Sequence, residues 1–89
     1  MKDNNNSEDF IKAISDKRRY QILKYLREAC CVTDIWQKLD ISQNLASFHL
    51  KVLKDLGYVS AQKKGLKVIY CVNKDKIKES LNSLEKDLF

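Results

Sequence analysis

The chain has 89 residues, 17 lysines and arginines against 12 acids, two glycines, no proline and three cysteines. This length allows one domain, and a chain this small buries only about 60–65% of its unfolded surface. A deep walled enzyme cleft is therefore a poor fit, and a second copy would help the core. The lack of Pro and Gly excludes collagen-like, mucin-like and proline-rich linker architectures, and 44% hydrophobic residues exclude wholesale disorder. A net charge of +5 suits polyanions, nucleic acid before an anionic membrane. No apolar run approaches the ~18 residues of a spanning helix. Met1-Lys2-Asp3-Asn4-Asn5-Asn6 has no hydrophobic stretch to serve as a signal peptide. The expected setting is the cytoplasm, with the three cysteines as thiols in a reducing environment; the odd count also argues against a disulfide framework.

Residues 1–7 are polar and read as a flexible tail, ahead of a single domain over 8–89. Ser7 followed by Glu8-Asp9 predicts a helix start, with Phe10, Ile11 and Ile14 on a short apolar face. Asp16 can cap a second helix, in which Tyr20, Ile22, Leu23 and Leu26 recur at helical spacing. Cys30-Cys31-Val32 reads as one short extended step, and Thr33-Asp34 as the cap of a third helix from Ile35 to Leu39. After the break at Asp40-Ile41, Ser42 caps a fourth helix that ends near Leu56, before Gly57. The period then changes. Val59–Gln62 and Leu66–Val72 read as two strands around a Lys63-Lys64-Gly65 turn. Asn73 or Asp75 starts a last helix, over about 75–88, that carries Ile77, Leu81, Leu84 and Leu88 on a narrow stripe, the seam of a helix that pairs with another helix. The expected fold is mainly α (α+β): a winged helix-turn-helix, with helices and a small β-hairpin wing at about 59–72.

On a wheel of about 100° per residue, Leu45, Ala46, His49, Leu50, Val52, Leu53 and Leu56 of the 42–56 helix share one broad arc. Asn44, Ser47, Lys51, Lys54 and Asp55 share the other, with Phe48 at its edge and Gln43 at the helix start. Such an arc is what a major groove needs: Asn and Gln can bond adenine edges, Ser can meet phosphate or base, and Phe can touch a thymine methyl. Taken by itself it is equally an ordinary solvated face; the preceding turn, the basic hairpin and the net charge favour DNA. His49, the sole histidine, falls inside the apolar arc and reads as a packed residue bonded to a neighbouring backbone group.

Asp16-Lys17-Arg18-Arg19-Tyr20-Gln21-Ile22-Leu23 resembles the D-P-x-R-L-x-I-L second helix of the ArsR-type (arsenical-resistance repressor-like) regulators. Ser42-Gln43 through Ser47-Phe48-His49-Leu50 to Gly57-Tyr58-Val59 is similar to their S-Q-x-x-x-S-x-H-L-x-x-L-x-x-x-G-L-V signature. Gly65 to Val72 resembles their G-R-x-V-Y-Y-x-L wing. The resemblance implies a homodimeric repressor that joins through its first and last helices, with Phe10, Ile11, Ile14, Ile77, Leu81, Leu84 and Leu88 as interface candidates. It implies that the helix from Ser42 enters the major groove of double-stranded DNA at an inverted repeat, offering Ser42, Gln43, Asn44, Ser47, Phe48, Lys51 and Lys54. The hairpin would reach flanking phosphate through Lys63, Lys64 and Lys67.

Relatives of this type sense ions through a C-V-C-D-L segment. Here it is Cys31-Val32-Thr33-Asp34-Ile35, so Thr33 stands where the second thiol would be. The family's other site, on the last helix, needs histidine, and Asp75–Phe89 has none. In a winged helix the strand after the second helix pairs with the last wing strand, which would bring Cys30-Cys31 near an outward-facing Cys71. Two readings stand: three small residues filling space, or a thiol switch taking a soft metal ion, a metalloid or an oxidant. Trp36 stands where the family position is small and has no functional reading. A protein-interaction module using exposed Phe48 is the competing class. A thiol enzyme lacks a base.

Overall fold

The computed structural model describes residues 6–28 and 35–89. The elements run α1 (Asn6–Ile14), α2 (Lys17–Glu28), α3 (Ile35–Leu39), α4 (Gln43–Asp55), β1 (Val59–Lys64), β2 (Lys67–Val72) and α5 (Lys74–Leu88). This is the order of a winged helix-turn-helix: α3 and α4 form the helix pair, and β1 and β2 form an antiparallel two-stranded wing. Among the described residues no helix is long and apolar enough to cross a membrane. The short extended step at Cys30–Val32 and the Thr33-Asp34 cap lie outside the described residues.

Local chemistry explains the boundaries. Asp16 starts α2 by accepting the Arg18 N–H at 2.7 Å, and its carboxyl is held below the ordinary carboxylate range mainly by that bond. Asp40 has φ 56°, an αL turn between α3 and α4 that a short polar side chain tolerates. Ser42 caps α4 by accepting the Leu45 N–H at 3.1 Å. Gly57 stops α4 at φ 91°, where a side chain would be strained. Asn73 caps α5 by accepting the Lys76 N–H at 3.2 Å.

Two boundaries differ from the sequence reading. Asn6 and Ser7 form the first turn of α1, and Ser7 is a buried residue within that helix rather than its cap. The hairpin turn is Gly65-Leu66, because pairing runs from Val59↔Val72 out to Lys64↔Lys67. Lys63 and Lys64 are therefore strand residues. Gly65 takes φ 64° at the first turn position, where a two-residue hairpin loop favours glycine.

The core gathers Phe10 and Ala13 of α1, Ile22, Leu23 and Leu26 of α2, Ile35, then Ala46, Leu50 and Leu53 of α4, closed by Tyr58 and Val59. Tyr58 is fully buried. Its hydroxyl lies 2.6 Å from Ser80 Oγ on α5 and donates to the Asn6 carbonyl at 3.3 Å. Burial pushes the Tyr58 phenol up, while the Ser80 bond partly offsets that shift. Asn73 N–H donates to the Tyr58 carbonyl at 2.8 Å, and Lys76 Nζ donates to Asn6 Oδ1 at 3.0 Å. Tyr58, between Gly57 and the wing, is thus tied to both terminal helices, which also pack on each other.

Candidate nucleic-acid interface

The arc expected to pack does so: Ala46, His49, Leu50 and Leu53 are buried. The opposite arc is open. Gln43, Asn44, Ser47, Lys51, Lys54 and Asp55 are exposed, and the Phe48 ring is 56% exposed. Ser42, itself exposed, spends its hydroxyl on the helix cap. Lys51 Nζ sits 3.0 Å from Asp55 Oδ2 one turn on, an exposed pair that a phosphate could displace at little cost. On the wing, Lys63, Lys64 and Lys67 are exposed, and Leu66 stands free at the tip. β1 packs against α4, so the lysine-bearing strand is held by the helix that carries the polar arc.

His49 is packed, at 3% exposure, but its partner is not a backbone group. Arg19 Nη1 lies 3.2 Å from His49 Nδ1. Arg19 also donates from Nε to the Ala13 carbonyl at 2.9 Å, and from Nη2 to the Lys12 carbonyl at 3.1 Å and Ser15 Oγ at 3.3 Å. Burial, with the neighbouring arginines, lowers the His49 pKa, and Asp16 opposes them. Arg19 is the residue that sequence reasoning passed over. Its only signal was a place in the second-helix motif, three positions after Asp16.

The dimer candidates divide. Phe10 is 8% exposed and belongs to the protomer's own core, its ring 5.5 Å from that of Tyr58. Ile14, Ile77 and Leu84 are partly buried against that core. Ile11, Leu81 and Leu88 remain exposed.

The expectation of free thiols is corrected at Cys71, which is half-buried on β2 and disulfide-bonded. The strand packs against α2, and Cys30 and Cys31, which lie outside the described residues, follow α2 closely in sequence. Trp36 lies partly against the core and lines a small hollow with Gln43, Ser47 and Tyr70. Among the described residues no three side chains gather as a metal site.

An exposed polar helix face, presented by a tight helix pair and followed by a basic two-stranded wing, defines a DNA-binding protein of the winged helix-turn-helix class. Residues 16–61 match the family model described as "Bacterial regulatory protein, arsR family". The chain is 35% identical over 79 residues to an uncharacterized HTH-type transcriptional regulator of Methanocaldococcus jannaschii, covering 86% of this chain and 89% of that one. It is 31% identical over 72 residues to the arsenical resistance operon repressor of Bacillus subtilis, covering 79% and 69%. It superposes with a TM-score of 0.75 and 26% identity on the homodimeric winged helix-turn-helix DNA-binding domain Mb0332 of Mycobacterium bovis, covering 92% and 79%. The chain belongs to the arsR family of bacterial regulatory proteins and is a DNA-binding transcription regulator.

Proposed function

We propose that the chain acts as a homodimeric repressor that reads an inverted-repeat operator. The observation that carries this is the division of α4 into one buried arc and one open arc of Gln43, Asn44, Ser47, Phe48, Lys51 and Lys54. These side chains read base edges and phosphates in the major groove, while Lys63, Lys64 and Lys67 hold flanking phosphate. Two copies place two α4 helices about one helical turn apart. Ser47→Ala and Lys51→Ala are both on the open arc. Each should weaken duplex binding while leaving the circular dichroism spectrum and the urea midpoint unchanged. Wild-type affinity in both would refute the assignment.

The dimer forms through α1 and α5. Antiparallel pairing of α5 about Leu81 sets Lys74 against Leu88 of the second copy, Ile77 against Glu85 and Lys78 against Leu84. The first half of α5, with Lys74, Asp75, Lys78 and Glu79, then meets a second half that carries Glu85, Lys86 and Asp87. Under this pairing Leu81 meets its own copy, so the same patch serves both protomers, as a two-fold interface requires. Beside Ile77 lies an apolar hollow of about 430 Å3 lined by Phe10, Ile14, Leu23 and Val72, with Lys24, Lys74 and Lys78 also on its wall. The exposed Leu88 of the second copy is the side chain placed to enter it.

Thiol chemistry at Cys71 is the proposed release signal, supported by its disulfide on the wing and by a relative named for arsenical resistance. A dithiol reductant supplies two electrons and two protons and converts the bond to two thiols, which can then take a soft ion. DNA-binding anisotropy and Trp36 fluorescence, with and without reductant, As(III), Cd(II) and Zn(II), test this. If none changes either signal, the regulator works without such an effector.

A further inference from the structure

We infer that Arg19 is a positioning residue that fixes the recognition helix α4 against the end of α1, and that protonation of His49 breaks this hold. The inference rests on the DNA-reading role of α4.

The bond between the two side chains has only one sense. A guanidinium offers donors and no acceptor, so His49 Nδ1 must accept from Arg19 Nη1 at 3.2 Å. The ring proton of neutral His49 then sits on Nε2, which is buried and has no hydrogen-bond partner among the described residues. A second proton can enter only at Nδ1, the atom that holds Arg19. It removes the acceptor and places imidazolium against guanidinium at the same spacing.

The other end of Arg19 is anchored. Nε and Nη2 are held by the carbonyls of Ala13 and Lys12 and by Ser15 Oγ, so the guanidinium closes the C-terminal end of α1. Capping that helix accounts for Nε and Nη2; it does not need Nη1, the atom aimed at α4. The charged groups facing His49 are Arg18 and Arg19 of α2 and Asp16 ahead of it. The arginines repel a second proton and Asp16 attracts it. On α4 itself the next side chain is Phe48, whose ring meets the imidazole edge-on at 5.3 Å and stands on the open arc. Displacing His49 therefore moves a side chain that faces DNA. α1 in turn packs on α5, so the contact links the dimerisation helices to the reading helix.

His49 is the only histidine, so its ring nitrogens can be followed by NMR without assignment. At pH 7.5 they should show the Nε2–H tautomer with Nδ1 unprotonated; an Nδ1–H tautomer would overturn the inference. Because the His49 pKa is lowered from 6.5, duplex affinity at fixed ionic strength should hold from pH 7.5 down to that value and then fall progressively as the pH drops further, by less than about tenfold at pH 5.5. His49→Gln keeps an acceptor for Arg19 and cannot titrate in this range, so its affinity should stay near the wild-type pH 7.5 value throughout. A wild-type pH profile in His49→Gln overturns the inference. Arg19→Gln should bind DNA at least tenfold more weakly at pH 7.5 while remaining dimeric; full affinity in a folded Arg19→Gln protein overturns it also. Should Arg19→Gln fail to fold, the His49→Gln profile alone decides. Loss of binding by the wild-type chain to every duplex at pH 7.5 would mark failure of the DNA reading itself.

Discussion

Leu81→Glu tests the dimer seam at its centre. Leu81 is 50% exposed in the protomer, and antiparallel pairing of α5 places it against Leu81 of the second copy. Full burial of a leucine is worth about 1.5–3 kcal/mol, so covering the remaining half on two copies contributes about 1.5–3 kcal/mol to the dimer. Glutamate loses that term and adds repulsion between two carboxylates brought together from water. Since each 1.4 kcal/mol is about tenfold, the dimer dissociation constant should rise by about 10- to 100-fold from lost burial alone. Leu81 is outside the buried core, so the monomer should keep its helix content. Sedimentation velocity across a concentration series measures the constant, and circular dichroism checks the fold. Half-site affinity should survive while affinity for the full inverted repeat falls. An unchanged dissociation constant in Leu81→Glu would refute the α5 seam.

Three further outcomes follow from particular contacts. Tyr58→Phe leaves the fully buried Ser80 hydroxyl without its 2.6 Å partner and should lower the unfolding free energy by about 1–3 kcal/mol in urea melts; Tyr58→Phe combined with Ser80→Ala should recover part of the loss. Asp16 has a carboxyl held below its ordinary range by the Arg18 N–H. It therefore contributes stability that is present above the unfolded carboxylate pKa and is lost as pH falls through the lower folded value. Asp16→Asn keeps an acceptor for the cap but should flatten the acid limb of the urea midpoint against pH. Alanine at Lys63, Lys64 and Lys67 should reduce the slope of log affinity against log salt by about 0.9 for each phosphate contact removed, with little change in sequence preference.

Most of the fold was legible because its boundaries are set by local chemistry. Ser42, Asn73 and Gly57 act within a few residues of themselves, and the arc division of α4 follows from helical period alone. The wing was legible in outline, but its turn is Gly65-Leu66 and not Lys63-Lys64-Gly65, since register depends on pairing across the hairpin and not on the lysine pair that marked it. What the sequence hid were contacts between distant residues. Arg19 and His49 are thirty positions apart, and Tyr58 meets Asn6 and Ser80 from the far ends of the chain. Phe10 was read as an interface residue because a nine-residue helix shows little of which apolar side chain its own protomer covers. At Cys71, composition and compartment favoured a free thiol, while the winged-helix pairing argument kept oxidation open as one of two readings; Cys71 is disulfide-bonded.

The most direct test of the account is a fluorescence-anisotropy titration of the wild-type chain against duplexes selected from a random pool, repeated at several salt concentrations. Binding to an inverted repeat at low salt, with log affinity falling steeply and linearly against log salt, is the predicted result. No detectable duplex binding at low salt, or an affinity indifferent to salt, would contradict it.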